Sequence, residues 1–230
     1  MQTDLSSVLQ RTRNSLRANG FLKTLLKLYP ILVDRCFDIR HGVDTCAWAF
    51  LSELTIQSAN RERGTRYQPS RLVPLRKLFK IVKHKIPPDS VFVDLGCGKG
   101  RVLLAASELG FLEVRGVEFA HELCEIAKKN CAIYKTKKLN FEYRIFECDV
   151  TDYAIKTDEN VFFMYNPFDE TILAKVLSRI AASLQIKSRR ILVIYYNPVH
   201  AHILDDRRDF SRLMDFAWQN HKFAVHSNNI

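Results

Sequence analysis

Four side chains and a run of alternating glycines carry the chemistry that can be read from this chain. Asp94 is followed by Gly96, Gly98 and Gly100 at every second position, in Val91-Phe92-Val93-Asp94-Leu95-Gly96-Cys97-Gly98-Lys99-Gly100. A backbone that bends there lets a ligand approach closely, and the N–H groups ahead of a following helix suit an anionic group. Asp94 is placed to meet a cation or to cap the turn backbone. Glu118 stands 18 residues beyond Gly100, and a carboxylate at that place can accept both hydrogen bonds of a diol. Asp149, in Glu147-Cys148-Asp149-Val150, can accept from an amino group while Val150 offers its backbone N–H. A helix N-cap, with Thr151 and Asp152 as competitors, is the other reading. Asn166 opens Asn166-Pro167-Phe168, either a polar group beside a reacting centre or an ordinary strand-to-helix turn.

These residues need elements that bring them together. Val91–Leu95 is apolar and β-branched and reads as a buried strand, followed by a helix at Arg101–Leu109. The pattern then alternates: strand Val114–Phe119, helix His121–Tyr134, strand Phe141–Cys148, strand Val161–Tyr165, helix Glu170–Leu184 and strand Ile191–Tyr196. Phe210–Trp218 and Phe223–His226 are joined too tightly for a helical crossover and read as an antiparallel pair. Alternating strands and helices with continuous apolar strands predict an α/β fold, a parallel sheet covered on both faces. Ligands in such sheets bind beyond the carboxyl ends of the strands, where Asp94, Glu118, Asp149 and Asn166 fall. One local echo stands out: Tyr165-Asn166-Pro167 and Tyr196-Asn197-Pro198 each end an apolar strand.

Upstream, apolar residues from Leu5 to Val33 fall at helical spacing, interrupted at Gly20 and with a break or new first turn at Pro30. Two or three amphipathic helices with basic outer faces are expected before residue 60, packing on the same domain or, as the sharper alternative, lying on a membrane surface. Gln57 to Thr65 reads as an exposed connector. Pro69 to His84 reads as a further basic helix, closed by Ile86-Pro87-Pro88-Asp89. That punctuation divides a basic helical extension, 1–89, from a domain at 90–230. The charge divides there too: residues 1–89 hold 16 Lys and Arg against 7 Asp and Glu, the remainder 19 against 18. The reading is a solvated helical face or a platform for an acidic partner. No apolar run is long enough to span a membrane and no signal-peptide pattern is present, so a cytoplasmic location is expected. The six cysteines form no Cys-x-x-Cys pair, which points to reduced thiols and no metal site.

The Asp-x-Gly-x-Gly-x-Gly spacing resembles motif I of the class I S-adenosylmethionine-dependent methyltransferases. A dinucleotide fingerprint has glycine where Arg101 stands. The resemblance implies a Rossmann-like sheet of seven strands, mostly parallel with the last pair antiparallel. It implies S-adenosylmethionine as cofactor and S-adenosylhomocysteine as product. The loop Asp94, Gly96, Cys97, Gly98 and Gly100 would take the methionine end, Glu118 with Phe119 the ribose, and Asp149 with Val150 the adenine. Asn166, Pro167 and Phe168 resemble motif IV of amino-group methyltransferases, with one proline where that pattern has two, and so stand as the catalytic residues.

From Tyr67 to Pro198 the chain is also similar to an uncharacterised bacterial group, and loosely to the non-SET, histone-type lysine methyltransferases. Arg66-Tyr67-Gln68-Pro69-Ser70 matches a Tyr-x-Pro-like element there, which implies that Tyr67 covers the cofactor and that the N-terminal helices border the substrate channel. Phe37-Asp38-Ile39-Arg40-His41-Gly42-Val43-Asp44-Thr45 resembles a segment of the bacterial group or is a well-packed turn. The methyl acceptor expected is an amino group such as a protein lysine, in a channel lined by Phe168, Tyr165, Tyr195 and Tyr196. RNA, DNA or a small amine remain as alternatives, as does a non-catalytic module that binds S-adenosylmethionine.

Overall fold

The computed structural model describes residues 10, 26, 28–64 and 67–228. Seven strands form one sheet: β1 (Val91–Leu95), β2 (Glu113–Glu118), β3 (Tyr143–Glu147), β4 (Glu159–Tyr165), β5 (Leu192–Tyr196), β6 (Phe210–Trp218) and β7 (His221–Asn228). Their order is β3-β2-β1-β4-β5-β7-β6. β1 to β5 pair in parallel, while β7 runs antiparallel to both β5 and β6. The fold is therefore the expected class I methyltransferase sheet, with the last hairpin folded back so that β7 lies inside β6.

Among the described residues, six α-helices accompany the sheet: α1 (28–41), α2 (Leu72–Val82), α3 (Arg101–Ala106), α4 (His121–Lys137), α5 (Glu170–Ile186) and α6 (His202–Asp205). Strand side chains alternate between faces, so each buried strand serves two cores. Phe92, Phe163 and Ile194 pack with Leu75, Leu78 and Phe79 of α2 and Leu103 of α3. Val93, Phe162, Met164 and Val193 pack with Ile172, Leu173, Val176, Leu177 and Ile180 of α5. Each such aliphatic side chain contributes roughly 1.5–3 kcal/mol by leaving water. Asp169 caps α5 by accepting from the Ile172 N–H at 3.0 Å, which fixes where motif IV gives way to helix.

Several local expectations shift. Much of the Leu5–Val33 run lies outside the described residues, and Pro30 falls in the first turn of α1 as described, which the new-first-turn reading allows and the break does not. β3 begins at Tyr143, because Phe141 is buried in the preceding turn and stacks on Tyr143 at 5.4 Å between ring centroids. α6, four residues long, carries no apolar periodicity that would have revealed it. The 57–64 stretch is not a simple exposed connector but runs across the carboxyl ends of the strands, as described next.

Candidate functional site

One cavity opens at the carboxyl ends of β1, β2, β3 and β4, and strand-end residues form its floor. After β1, Gly96, Gly98 and Gly100 all take positive φ (87°, 53° and 81°). The N–H groups of Gly96 and Cys97 both donate to the Val117 carbonyl, at 2.8 and 3.0 Å, tying this loop to β2. A side chain at Gly98 would place its Cβ 2.1 Å from the Tyr67 ring, and one at Gly96 would meet Pro167 at 2.7 Å. The glycines thus admit the close approach of Tyr67 on one side and of motif IV on the other. Cys97 turns its thiol beneath the floor, against Gly116.

Two buried carboxylates face one another across this floor. Burial pushes the Asp94 carboxyl well above its ordinary pKa, and the Glu118 charge pushes it further. Burial also raises Glu118, opposed by hydrogen bonds that its carboxylate accepts from the N–H groups of Ala120 (3.0 Å), Gly98 (2.9 Å) and Phe119 (3.0 Å). Two acids forced together in a low-dielectric cavity suit a cationic ligand, whose charge offsets the cost of their ionisation. The ammonium and sulfonium of S-adenosylmethionine meet that requirement, so the donor set fits the cofactor that motif I implies.

Asp149 and Val150 reach the cavity from the end of β3. The Asp149 carboxylate accepts from the Thr151 N–H and hydroxyl, both at 2.7 Å, from Asn60 Nδ2 at 3.1 Å, and from the Ser58 hydroxyl. Burial raises its pKa, and these donors together hold it below the usual carboxylate range. It therefore closes a turn and caps no helix, since none begins between β3 and β4, and it also fastens the 57–64 stretch. At the end of β4, Asn166 lies at φ 40° and accepts from the Tyr195 hydroxyl at 2.9 Å. Pro167 and Phe168 complete that wall.

The roof comes from chain that the sequence pattern did not place. Residues 55–64 form a strap over three strand ends. Ile56 bridges Ala120 after β2, Ser58 and Asn60 hold Asp149 after β3, and Gly64 bridges Phe168 after β4. Arg63 pairs with Asp169 at 2.7 Å while its carbonyl accepts the Asp169 N–H at 3.1 Å. Gly64 lies against the Phe119 ring, where a Cβ would come to 2.8 Å. Tyr67 donates its hydroxyl to the Thr45 carbonyl at 3.0 Å, and its ring covers Gly98. Asn60, Arg63, Gln68 and Asn197 line the cavity and were not singled out by their types; only the repeated Tyr-Asn-Pro pointed to Asn197.

Floor and roof are joined by Arg101, the residue that breaks the dinucleotide pattern. It is buried at the first position of α3 and donates to Thr45 Oγ1 at 2.7 Å and the Ser70 carbonyl at 3.1 Å. It also pairs with Asp34 at 3.2 Å and Asp38 at 3.7 Å. The Phe37–Thr45 segment is thus the anchor of the roof: Asp38 accepts from Thr45 N–H and Oγ1 at 2.8 and 2.6 Å. Outside the cavity, His121, Glu125 and Glu147 converge on the exposed side of α4. Lys128 there pairs with both glutamates, at 2.8 and 3.6 Å, and His121 bonds Glu147, so the carboxylates are already engaged by side chains. All six cysteines are unpaired thiols.

Residues 75–203 match the family model described as histone methylation protein DOT1. A histone-lysine N-methyltransferase, H3 lysine-79 specific, of Dictyostelium discoideum is 35% identical over 91 residues, 35% of this chain and 5% of that protein. An uncharacterised protein of Methanocaldococcus jannaschii is 34% identical over 64 residues, 28% of this chain and 27% of that one. The matched stretches are a small part of either relative. Among solved structures, a putative methyltransferase of Escherichia coli superposes with a TM-score of 0.55 at 14% identity, covering 80% of this chain and 99% of that one. An RNA methyltransferase of Salinibacter ruber, in complex with S-adenosyl-L-homocysteine, gives 0.51 at 18% identity, covering 70% and 94%. Both likenesses concern the fold.

Proposed function

This chain belongs to the DOT1 histone-methylation protein family, whose model matches more than half of it, and on that premise we propose that it transfers a methyl group from S-adenosylmethionine to an amino nitrogen, a protein lysine in the first instance. The observation that carries the reading is the pair of buried carboxylates, Asp94 and Glu118, raised in pKa in a cavity that Asn166-Pro167-Phe168 also line. In this reading residues 90–230 bind the cofactor, and 1–89 cover it and border the acceptor.

When bound, the cofactor supplies a sulfonium methyl for in-line displacement by a nitrogen lone pair. The protein's part is to bind, orient and exclude water. Asp94 would hold the ammonium of the methionine end, beside a glycine loop whose own N–H groups are spent on the Val117 and Cys97 carbonyls and on Glu118 and so keep its bend. Glu118 has its three backbone donors and still offers acceptor capacity to the ribose diol. Val150 meets the adenine edge through its backbone, and Asp149 keeps the strap closed above it. Asn166 accepts the N–H bonds of the incoming amine, its carboxamide oriented by Tyr195. Of the four aromatic residues expected to line the channel, Phe168 and Tyr165 do so, while Tyr196 stacks behind Tyr165 and Tyr195 is buried behind Asn166. Loss of water at this wall disfavours the ammonium form, so the acceptor gives its proton to solvent before entering as the neutral amine and leaves as the methylammonium.

Calorimetric titration with S-adenosylmethionine tests the cofactor, and micromolar affinity is expected; no binding at that level sinks the reading. For the acceptor, a lysate treated with enzyme and methyl-labelled cofactor is digested with protease or nuclease. Protease-sensitive label is expected. Nuclease-sensitive label would transfer the activity to nucleic acid, the second reading, which the excess positive charge of residues 1–89 favours.

A further inference from the structure

Helix α1 is buried along one face and exposed along the other, and the two faces differ in kind. Its buried side holds Pro30, Asp34, Phe37 and Asp38. Asp34 accepts from Arg71 at 2.8 Å and from the Leu72 N–H at 3.0 Å, besides pairing with Arg101. These contacts fix the helix to the body, so its outer side cannot turn inward. That outer side presents Tyr29, Leu32, Cys36 and Ile39, spaced three and four apart along one stripe. Leu32 is 57% and Ile39 80% exposed. At 3.6 residues per turn, exposed Arg35 and Arg40 fall on the two edges of the stripe.

Both acidic residues of α1 are the buried ones, Asp34 and Asp38. Every exposed position from 29 to 40 is therefore apolar or cationic. Immediately upstream, residues 1–27 add Arg11, Arg13, Arg17, Lys23 and Lys27 against the single acid Asp4. An aliphatic stripe edged by arginines is the pattern of a helix lying in the interface of an anionic bilayer. Self-pairing of two such faces would bring like charges together. Nucleic acid would use the arginines and leave Leu32 and Ile39 in water. No described helix is long and apolar enough to cross a membrane, so the contact is with the surface.

We propose that the outer face of α1 is a docking surface for anionic phospholipid membrane. The inference is independent of the methyl acceptor and of cofactor binding. It is tested by co-sedimenting the full chain with vesicles of phosphatidylcholine alone and of an equal mixture with phosphatidylglycerol. Sedimentation with the anionic vesicles only, at low salt, is expected. Leu32→Asp with Ile39→Asp lowers the bound fraction at least about tenfold, and Arg40→Glu about fivefold, with circular dichroism and the urea midpoint unchanged. Ile39→Asp alone, at the most exposed of these positions, keeps the test valid where the double variant is misfolded. Failure to sediment, equal sedimentation with neutral vesicles, or full binding by folded Ile39→Asp would each overturn the proposal. So would an RNA shift or a dimer that these variants abolish while the wild type ignores vesicles.

Discussion

Along the floor of the cavity, Asp94, Glu118 and Asn166 stand at the ends of β1, β2 and β4, where ladder hydrogen bonds place them. Along the roof, Ser58, Asn60 and Tyr67 lie on irregular chain held mainly by side-chain bonds, to Asp149 and Thr45, and by isolated bridges. The floor is positioned by a repeating structure whose geometry follows from strand periodicity. The roof is positioned by individual contacts between residues far apart in sequence. One arrangement tolerates loss of a side chain; the other depends on a few specific partners.

The largest expected effect lies where floor and roof are joined. Arg101→Leu removes the partner of Asp34 and Asp38 from a site where all three are buried. Breaking a buried ion pair from one side costs about 3–5 kcal/mol. The urea midpoint should fall accordingly, and affinity for S-adenosylmethionine should fall with it as Thr45 releases Tyr67. A variant that loses stability but binds cofactor normally would show that the roof holds without its anchor.

Next in size is the direct contact of Tyr67 with the glycine loop. Gly98→Ala combines a strained φ with a Cβ that overlaps the Tyr67 ring, a cost of about 1–3 kcal/mol. Cofactor binding should weaken by roughly tenfold to a hundredfold. In a Tyr67→Ala background the overlap is gone, so the same substitution should cost markedly less. Equal losses in both backgrounds would mean that the glycine is needed for φ or for the ligand, and that the roof plays no part.

The floor was legible because its residues follow short apolar stretches, continuous in β1, β5 and most of β4, and still strand-like in β2 and β3 despite Arg115-Gly116 and Arg144. Asn60, Arg63 and Gln68 were not legible, since a polar stretch has the same composition whether it faces water or a ligand. Arg101 was noticed for the glycine that it replaces, yet nothing in its neighbours reveals that Asp34 and Asp38, more than 60 residues upstream, neutralise it. Asp149 shows the limit of type and spacing. Its position at the end of β3 was plain, but not that Ser58 and Asn60 would occupy its oxygens.

A smaller effect, confined to the floor, is expected from pH. Burial and the neighbouring Glu118 raise the Asp94 pKa in the free protein, so the stability it contributes is present below the ordinary carboxylate range and is lost as pH rises through the raised value. A cationic ligand binds the ionised form. Affinity for S-adenosylmethionine should therefore increase with pH across that window, by up to about tenfold per pH unit for one proton. Calorimetry in buffers of different ionisation enthalpy should register proton release. Asp94→Asn should bind more weakly and remove this group's share of the pH slope; an unchanged slope would assign the titration to another group.

The last comparison, whose second arm carries the smallest expected effect, separates two turns within the floor that share a sequence. Tyr165-Asn166-Pro167 and Tyr196-Asn197-Pro198 end adjacent strands, their tyrosine rings stack at 4.0 Å, and the asparagines take φ of 40° and 49°. Sequence alone made them twins; their neighbours make them different. Asn166 has its carboxamide oriented by the Tyr195 hydroxyl, whereas Asn197 is held through its backbone, its N–H donating to Lys222 and its carbonyl accepting from Val199, both at 2.8 Å. Glycine keeps the backbone conformation and deletes the carboxamide. Asn166→Gly should lower labelled methyl transfer on the order of a hundredfold, as expected when a reacting group loses its alignment. Asn197→Gly should change it by less than about twofold, the range of a surface substitution. Equal losses at both positions would mean that the acceptor spans both turns and that the catalytic floor extends from β4 to β5.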